Sequence, residues 1–221
     1  MTAKGGPERY EIVILAHATF RCFGLPPATI LWLTFRFLFA YYDNPTTIPF
    51  LNGGLMTISE ALLLEFDEEV KKTRKTLERV PADRPEFAPH PKSAPLGKLA
   101  PHIAQLAGFG HSVLTTPRVD FSAGSYKPLP MESAAQLVKV LEEGAAKVRK
   151  ALAETPDSAW QENWKLLLSG QVLFDGSRFL AYRQMFLNHL VHHRAQLGVY
   201  LRLLDVPVPA TYGPSADEPM M

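Results

Sequence analysis

The feature that most constrains this chain is the stretch Asn188-His189-Leu190-Val191-His192-His193-Arg194-Ala195-Gln196, which lies inside a long apolar run. At about 100° per residue, Phe179, Tyr182, Phe186, Leu190, Leu197, Tyr200, Leu201 and Leu204 fall into one stripe, which predicts a single amphipathic helix. His193 sits near the middle of that stripe. His189 lies one turn earlier and somewhat off its centre, while His192 is rotated roughly 100° toward the flank. The pair His189 and His193 therefore faces the core, its imidazoles about 6 Å apart along the axis and close enough to share one cation. The same spacing also suits two ordinary buried histidines bonded to backbone or hydroxyl groups, since an unpaired buried polar group costs about 1–3 kcal/mol. A third imidazole elsewhere decides between the two.

Such a helix needs partners, and three more helical segments precede it. The first is expected from about Ser59 to Arg79, with Thr57 or Ser59 as cap, an apolar face of Leu62, Leu63, Phe66, Val70 and Leu77, and acids before bases as the helix dipole favours. Val80-Pro81 ends it, and Pro85, Pro89, Pro91 and Pro95 keep the connection extended. The second runs from about Ala94 to Leu114, its stripe built from Leu96, Leu99, Ile103, Leu106, Gly110 and Val113. His102 projects onto the side of this stripe, whereas His111 is turned roughly 110° away, so His102 is the better third inward imidazole. The loop Arg118 to Pro130 is a candidate pocket wall or lid. The third helix is expected from about Met131 to Glu154. Between Trp160 and Gly176 the period changes to that of a short β-hairpin with glycine turns, in which Trp160 and Trp164 pack. Ser177 caps the last helix. The proline-rich tail from Asp205 to Glu218 is expected to strap back along the others. The fold class that follows is all-α: a four-helix bundle with a short β-hairpin before the last helix and an extended C-terminal tail.

Residues 1–55 read differently. They carry aromatics, prolines and an apolar run, Ala28 to Tyr42, without caps or a polar face. That run is shorter than the roughly 20 apolar residues of a membrane span and has Arg36 near its middle. It also fits a secretory signal poorly. The expectation is a poorly structured extension over 1–55, with Met56 as a natural start and a bundle domain over 56–221. With 221 residues, a formal net charge of +1 and no basic run interleaved with aromatics, the chain has no footprint for nucleic acid. A single cysteine, Cys22, excludes an intrachain disulfide and a Cys-rich zinc site. A cytoplasmic protein without a membrane partner is expected.

The pattern Asn188-His189-x-x-x-His193-Arg194-x-Gln196, followed by Tyr200-Leu201-Arg202 and Val208-Pro209-x-x-Tyr212-Gly213-Pro214-Ser215-Ala216-Asp217, resembles the DinB/YfiT-like family of four-helix-bundle metalloproteins. Leu96-Gly97-Lys98-Leu99-Ala100-x-His102 is similar to that family's second helix, and the resemblance covers about residues 57–218. It implies a divalent metal, Zn, Ni or Fe, held by His102, His189 and His193 with positions open to water or substrate. His192 is not a ligand in this carry-over. It further implies a metal-dependent enzyme of the thiol-dependent S-transferase or hydrolase type, with a small-molecule substrate such as a low-molecular-weight thiol, acting as a homodimer. A non-catalytic metal- or ligand-binding stress-response bundle is the alternative. Leu190 fills the place of the glutamate in a His-Glu-x-x-His motif, which argues against zincin-type peptide hydrolysis. No residue is assigned a catalytic role. Gln196 and Asn188 are candidates for orienting the imidazoles, with Asn188 better suited to the surface. Arg194 is expected in an ion pair, and Tyr182, Tyr200 and Tyr212 in packing.

Overall fold

The computed structural model describes residues 56–122 and 127–219. The expectations for 1–55 and for the tip of the 118–130 loop, including Gly124, lie outside the described residues. Helix α1 spans Ile58–Leu77 and starts where its chemistry allows: the Thr57 side chain accepts from the Glu60 N–H, and the Glu60 carboxylate accepts from the Thr57 N–H. This reciprocal box satisfies two of the N–H groups that a helix start leaves unpaired. Ser59 does not cap. Its buried hydroxyl donates to the Thr155 carbonyl at 2.7 Å and accepts from Trp160 Nε1 at 3.0 Å.

Helix α2 spans Leu96–Thr115 and has no side-chain cap. The proline-rich connection before it supplies the acceptors instead, since the N–H groups of Leu96 and Gly97 donate to the carbonyls of Phe87 and Pro85, both at 2.8 Å. Helix α3, Ala134–Glu154, is capped by Ser133, which accepts from the Gln136 N–H. A short 3-10 turn, Asp157–Gln161, follows and buries Trp160 against Phe179 and Tyr182. Trp160 thus belongs to the bundle core and not to hairpin packing.

The hairpin is β2, Asn163–Leu168, with β3, Gln171–Ser177. Ser169 and Gly170 both take positive φ, 50° and 80°. That is the turn geometry whose twist matches two antiparallel strands. A third strand, β1, Arg118–Asp120, pairs parallel to β2 from inside the loop region. A bulge lies between Leu166 and Leu167.

The last helix differs from the uninterrupted one expected. One α-turn, Arg178–Leu180, capped by Ser177, gives way to a π-helical segment, Ala181–Leu187, and then to α4, Asn188–Leu203. In the π segment the pairing lengthens by one residue, as the Asn188 N–H donating to the Arg183 carbonyl shows. Ala181, Tyr182, Phe186 and Leu187 are all buried there. Around the bundle, α3 packs on α1 and α2, and the last helix packs on α2 and α1. The core between them is apolar, with Phe66, Leu96, Ile103, Leu137, Leu141, Phe186 and Leu197 fully buried. Among the described residues no helix is long and apolar enough to cross a membrane.

The tail straps back as expected. Asp217 accepts from Arg202 and from the Val208 N–H, Arg79 donates to the Pro207 carbonyl at 2.9 Å, and Glu218 pairs with Arg79.

Candidate metal centre

The last helix and α2 meet at three imidazoles. His189 and His193 sit one turn apart on α4, and His102 comes from the first turns of α2. His189 Nε2 lies 2.7 Å from His193 Nε2 and 3.4 Å from His102 Nε2. Each residue offers one ring nitrogen to a group whose members lie within 4.8 Å of one another. These are the three residues named from the sequence. His192 stays outside: its exposed ring packs against that of His193, 5.0 Å between centroids. His111 is half-buried further along α2, and His90 accepts from the Lys92 N–H.

The far side of two rings is already committed. His189 Nδ1 is 3.2 Å from the Met185 carbonyl, so it carries the proton and donates. His193 Nδ1 is 2.7 Å from Gln196 Oε1 and donates likewise. Both Nε2 atoms then present lone pairs toward one another, an arrangement that repels unless a positive charge sits between them. Tetrahedral ligation at about 2.0–2.1 Å per imidazole separates ligand nitrogens by roughly 3.3 Å, which the 3.4 Å between His189 and His102 matches and the 2.7 Å between His189 and His193 falls short of. The donor set therefore fits a divalent cation. The Nδ1 bonds are the kind that fix tautomer and ring orientation in such sites.

The electrostatics agree. Burial, reinforced by His193 and His189, pushes His102 down to about 4. Burial also lowers His189, helped by His193 and opposed by the Met185 carbonyl. His193 is lowered by burial against the raising effect of Gln196. Each shift favours the neutral form that a ligand needs.

Two cavities meet at this cluster. The larger, about 430 Å³, lies between α2 and the last helix and is lined by His102, Leu106 and Phe109 on one side and Met185, Asn188 and His189 on the other, with Phe121 and Leu166 closing it. The smaller, about 310 Å³, reaches His102 and His193 past Lys98, Pro101, Pro128 and Leu129. Asn188 is exposed and lines the larger cavity, so its surface position is itself part of the opening.

Beneath the cluster lies a network that sequence spacing only hinted at. Arg194, 3% exposed, pairs with Glu69, 5% exposed, at 2.6 Å. Its guanidinium also donates to Thr73 Oγ1 and to the Glu69 carbonyl. Tyr212 of the tail accepts from Arg194 at 2.8 Å and donates to Glu69 at 2.6 Å. Burial raises the Glu69 carboxyl, but the Tyr212 hydroxyl and the Arg194 charge outweigh it and hold it below the usual carboxylate range. Arg194 is therefore an ion-pair residue that locks α4 onto α1 directly next to His193. Tyr200 donates to the Ala94 carbonyl at 2.8 Å, anchoring the chain just before α2. Met185 and Leu166 escaped sequence reasoning, because a backbone acceptor and a non-local wall residue leave no periodic trace, whereas Phe121, Pro128 and Leu129 belong to the 118–130 loop expected as a pocket wall.

Comparison with known proteins follows the same division of the chain. The sequence model of the DinB family matches residues 55–220. The crystal structure of a DinB-like protein from Bacillus cereus is similar in fold, with a TM-score of 0.52 at 21% identity over 69% of this chain and 97% of that chain. No curated protein matches the sequence.

Proposed function

Because the chain belongs to the DinB family, and its three histidines converge as they do, we propose that it is a metal-dependent enzyme of the thiol-dependent S-transferase type. The observation that carries the reading is the pair of Nε2 atoms 2.7 Å apart, each on a ring whose Nδ1 is already bonded. A divalent cation held by His102, His189 and His193 would supply Lewis acidity and favour the thiolate form of a bound thiol.

The rest falls to the chain's own residues. Gln196 and the Met185 carbonyl hold the imidazoles in orientation, and the two cavities give each of two reactants its own approach to the cluster. Transfer then forms a bond from the thiol sulfur to an electrophilic carbon as that carbon's bond to its leaving group breaks. The leaving group keeps the electron pair and the thiol proton passes to solvent. Hydrolysis at the same centre is the second reading, with His192, which lines the larger cavity outside the ligand set, as its general base.

Metal analysis of the purified protein is expected to find about one equivalent of a divalent transition metal, lost in His193→Ala and His102→Ala while circular dichroism stays helical. Thiol consumption in the presence of alkyl and aryl electrophiles is expected for the wild type only. A folded wild type that binds no Zn²⁺ or Ni²⁺ overturns the metal site. Metal binding without thiol turnover favours the ligand-binding alternative.

A further inference from the structure

The larger cavity has a composition that speaks to what enters it. None of its lining residues among those described is Asp, Glu, Lys or Arg. Its body is aromatic and aliphatic. Phe109 and Phe121 stand with ring centroids 5.8 Å apart, Phe109 is backed by Trp164 at 6.2 Å, and Leu106 and Leu166 complete the wall. Leu166 is the residue at the β2 bulge, where an interrupted register re-aims a side chain. One end of the cavity is closed by His102 and His189. Along the mouth, Gln184, Asn188 and His192 follow one another at four-residue spacing on the last helix and form one polar edge. Gln105, from α2, has its amide turned to the backbone of Lys127 and Leu129, holding the adjoining loop.

A charged body placed here would lose its hydration without a counter-charge to replace it. A neutral ring would bury its faces against phenylalanines while a polar linkage met the exposed amides. We propose that this cavity binds an uncharged small molecule with an aryl or branched apolar body and a metal-seeking polar head. The head points at His102 and His189, and Phe109, Phe121 and Leu166 determine specificity. The assignment rests on the metal-site reading for the head alone; the apolar half stands on the cavity.

The test has two arms. In the first, Zn²⁺-loaded protein, its metal content measured separately, is titrated calorimetrically with benzohydroxamate, acetohydroxamate and 4-carboxybenzohydroxamate. Benzohydroxamate is expected to bind at least about tenfold tighter than either of the others. Leu166→Trp, which fills the cavity, is expected to abolish that preference while metal content is unchanged. In the second arm, metal-free protein is titrated with N-benzylacetamide and with benzoate while amide NMR shifts are followed. Only the neutral compound is expected to move signals of Phe109, Leu166 and Asn188. Equal binding of benzohydroxamate and acetohydroxamate, or shifts produced equally by benzoate, overturns the proposal. Failure to load Zn²⁺ overturns the metal reading and leaves the second arm to decide the cavity. Leu166→Ala serves where the tryptophan variant does not fold, and is expected to narrow the preference between the two hydroxamates.

Discussion

Gln196 makes one contact that matters, its Oε1 on His193 Nδ1, and an otherwise exposed side chain gains a role through it. Gln196→Ala is expected to weaken metal affinity by about 10–100-fold with an unchanged fold, and Gln196→Glu, which keeps the acceptor, to restore most of it. Competition against a chelator measures both. His102 sets a second expectation, for metal-free protein. Its ordinary value of 6.5 falls to about 4 in the fold because burial disfavours the charged ring. Below 6.5 the unfolded chain takes up the proton and the folded one does not. The contribution to stability is thus complete above pH 6.5 and drains away as pH falls toward 4. Urea midpoints across that range should decline in the wild type and decline less steeply in His102→Gln, where His189 and His193 remain lowered by burial. At this scale the sequence was informative about direction: helical phase alone put His102, His189 and His193 inward and His192 on the flank. It was silent on the Met185 carbonyl, because every residue has a carbonyl and only the fold chooses one.

Among the elements, the π segment was the hardest to read. A constant helical step accounts for the apolar stripe from Phe179 to Leu204, yet Ala181 with Phe186 and Tyr182 with Leu187 are buried pairs five residues apart. That spacing was the available signal, hidden because a four-residue step also connects Tyr182, Phe186 and Leu190. The segment brings Phe186 so close to α2 that a Cβ on Gly110 would lie 2.5 Å from its ring. Gly110→Ala is therefore expected to destabilise by about 1–3 kcal/mol, read as a lower Tm, since a ring wedged between Phe66 and Tyr182 has little room to yield. Strand β1 was missed for another reason. Three residues are too few for an alternating pattern, and their partner in β2 lies far along the chain.

For the described molecule, the tail and α1 form one buried electrostatic unit with the last helix through Glu69, Arg194 and Tyr212. Removing Glu69 leaves the Arg194 charge buried without a counter-charge, whereas Glu69 keeps Lys72 at 3.0 Å. Glu69→Ala is expected to cost about 3–5 kcal/mol in urea unfolding, whereas Tyr212→Phe, which leaves the ion pair intact, should cost about 1 kcal/mol. The bundle, the hairpin and the strapped tail were legible from period, caps and prolines. The place of Leu166 in the cavity wall was not, because it depends on the pairing of β1 with β2.

Under the proposed thiol transfer, the two openings onto the histidines also bear on the order of events. Reactants that reach one centre through separate cavities do not displace each other, so both can be resident at once. Initial rates with both concentrations varied should then give intersecting double-reciprocal lines, the pattern of a ternary complex, and each reactant's close analogue should compete only against the reactant it imitates.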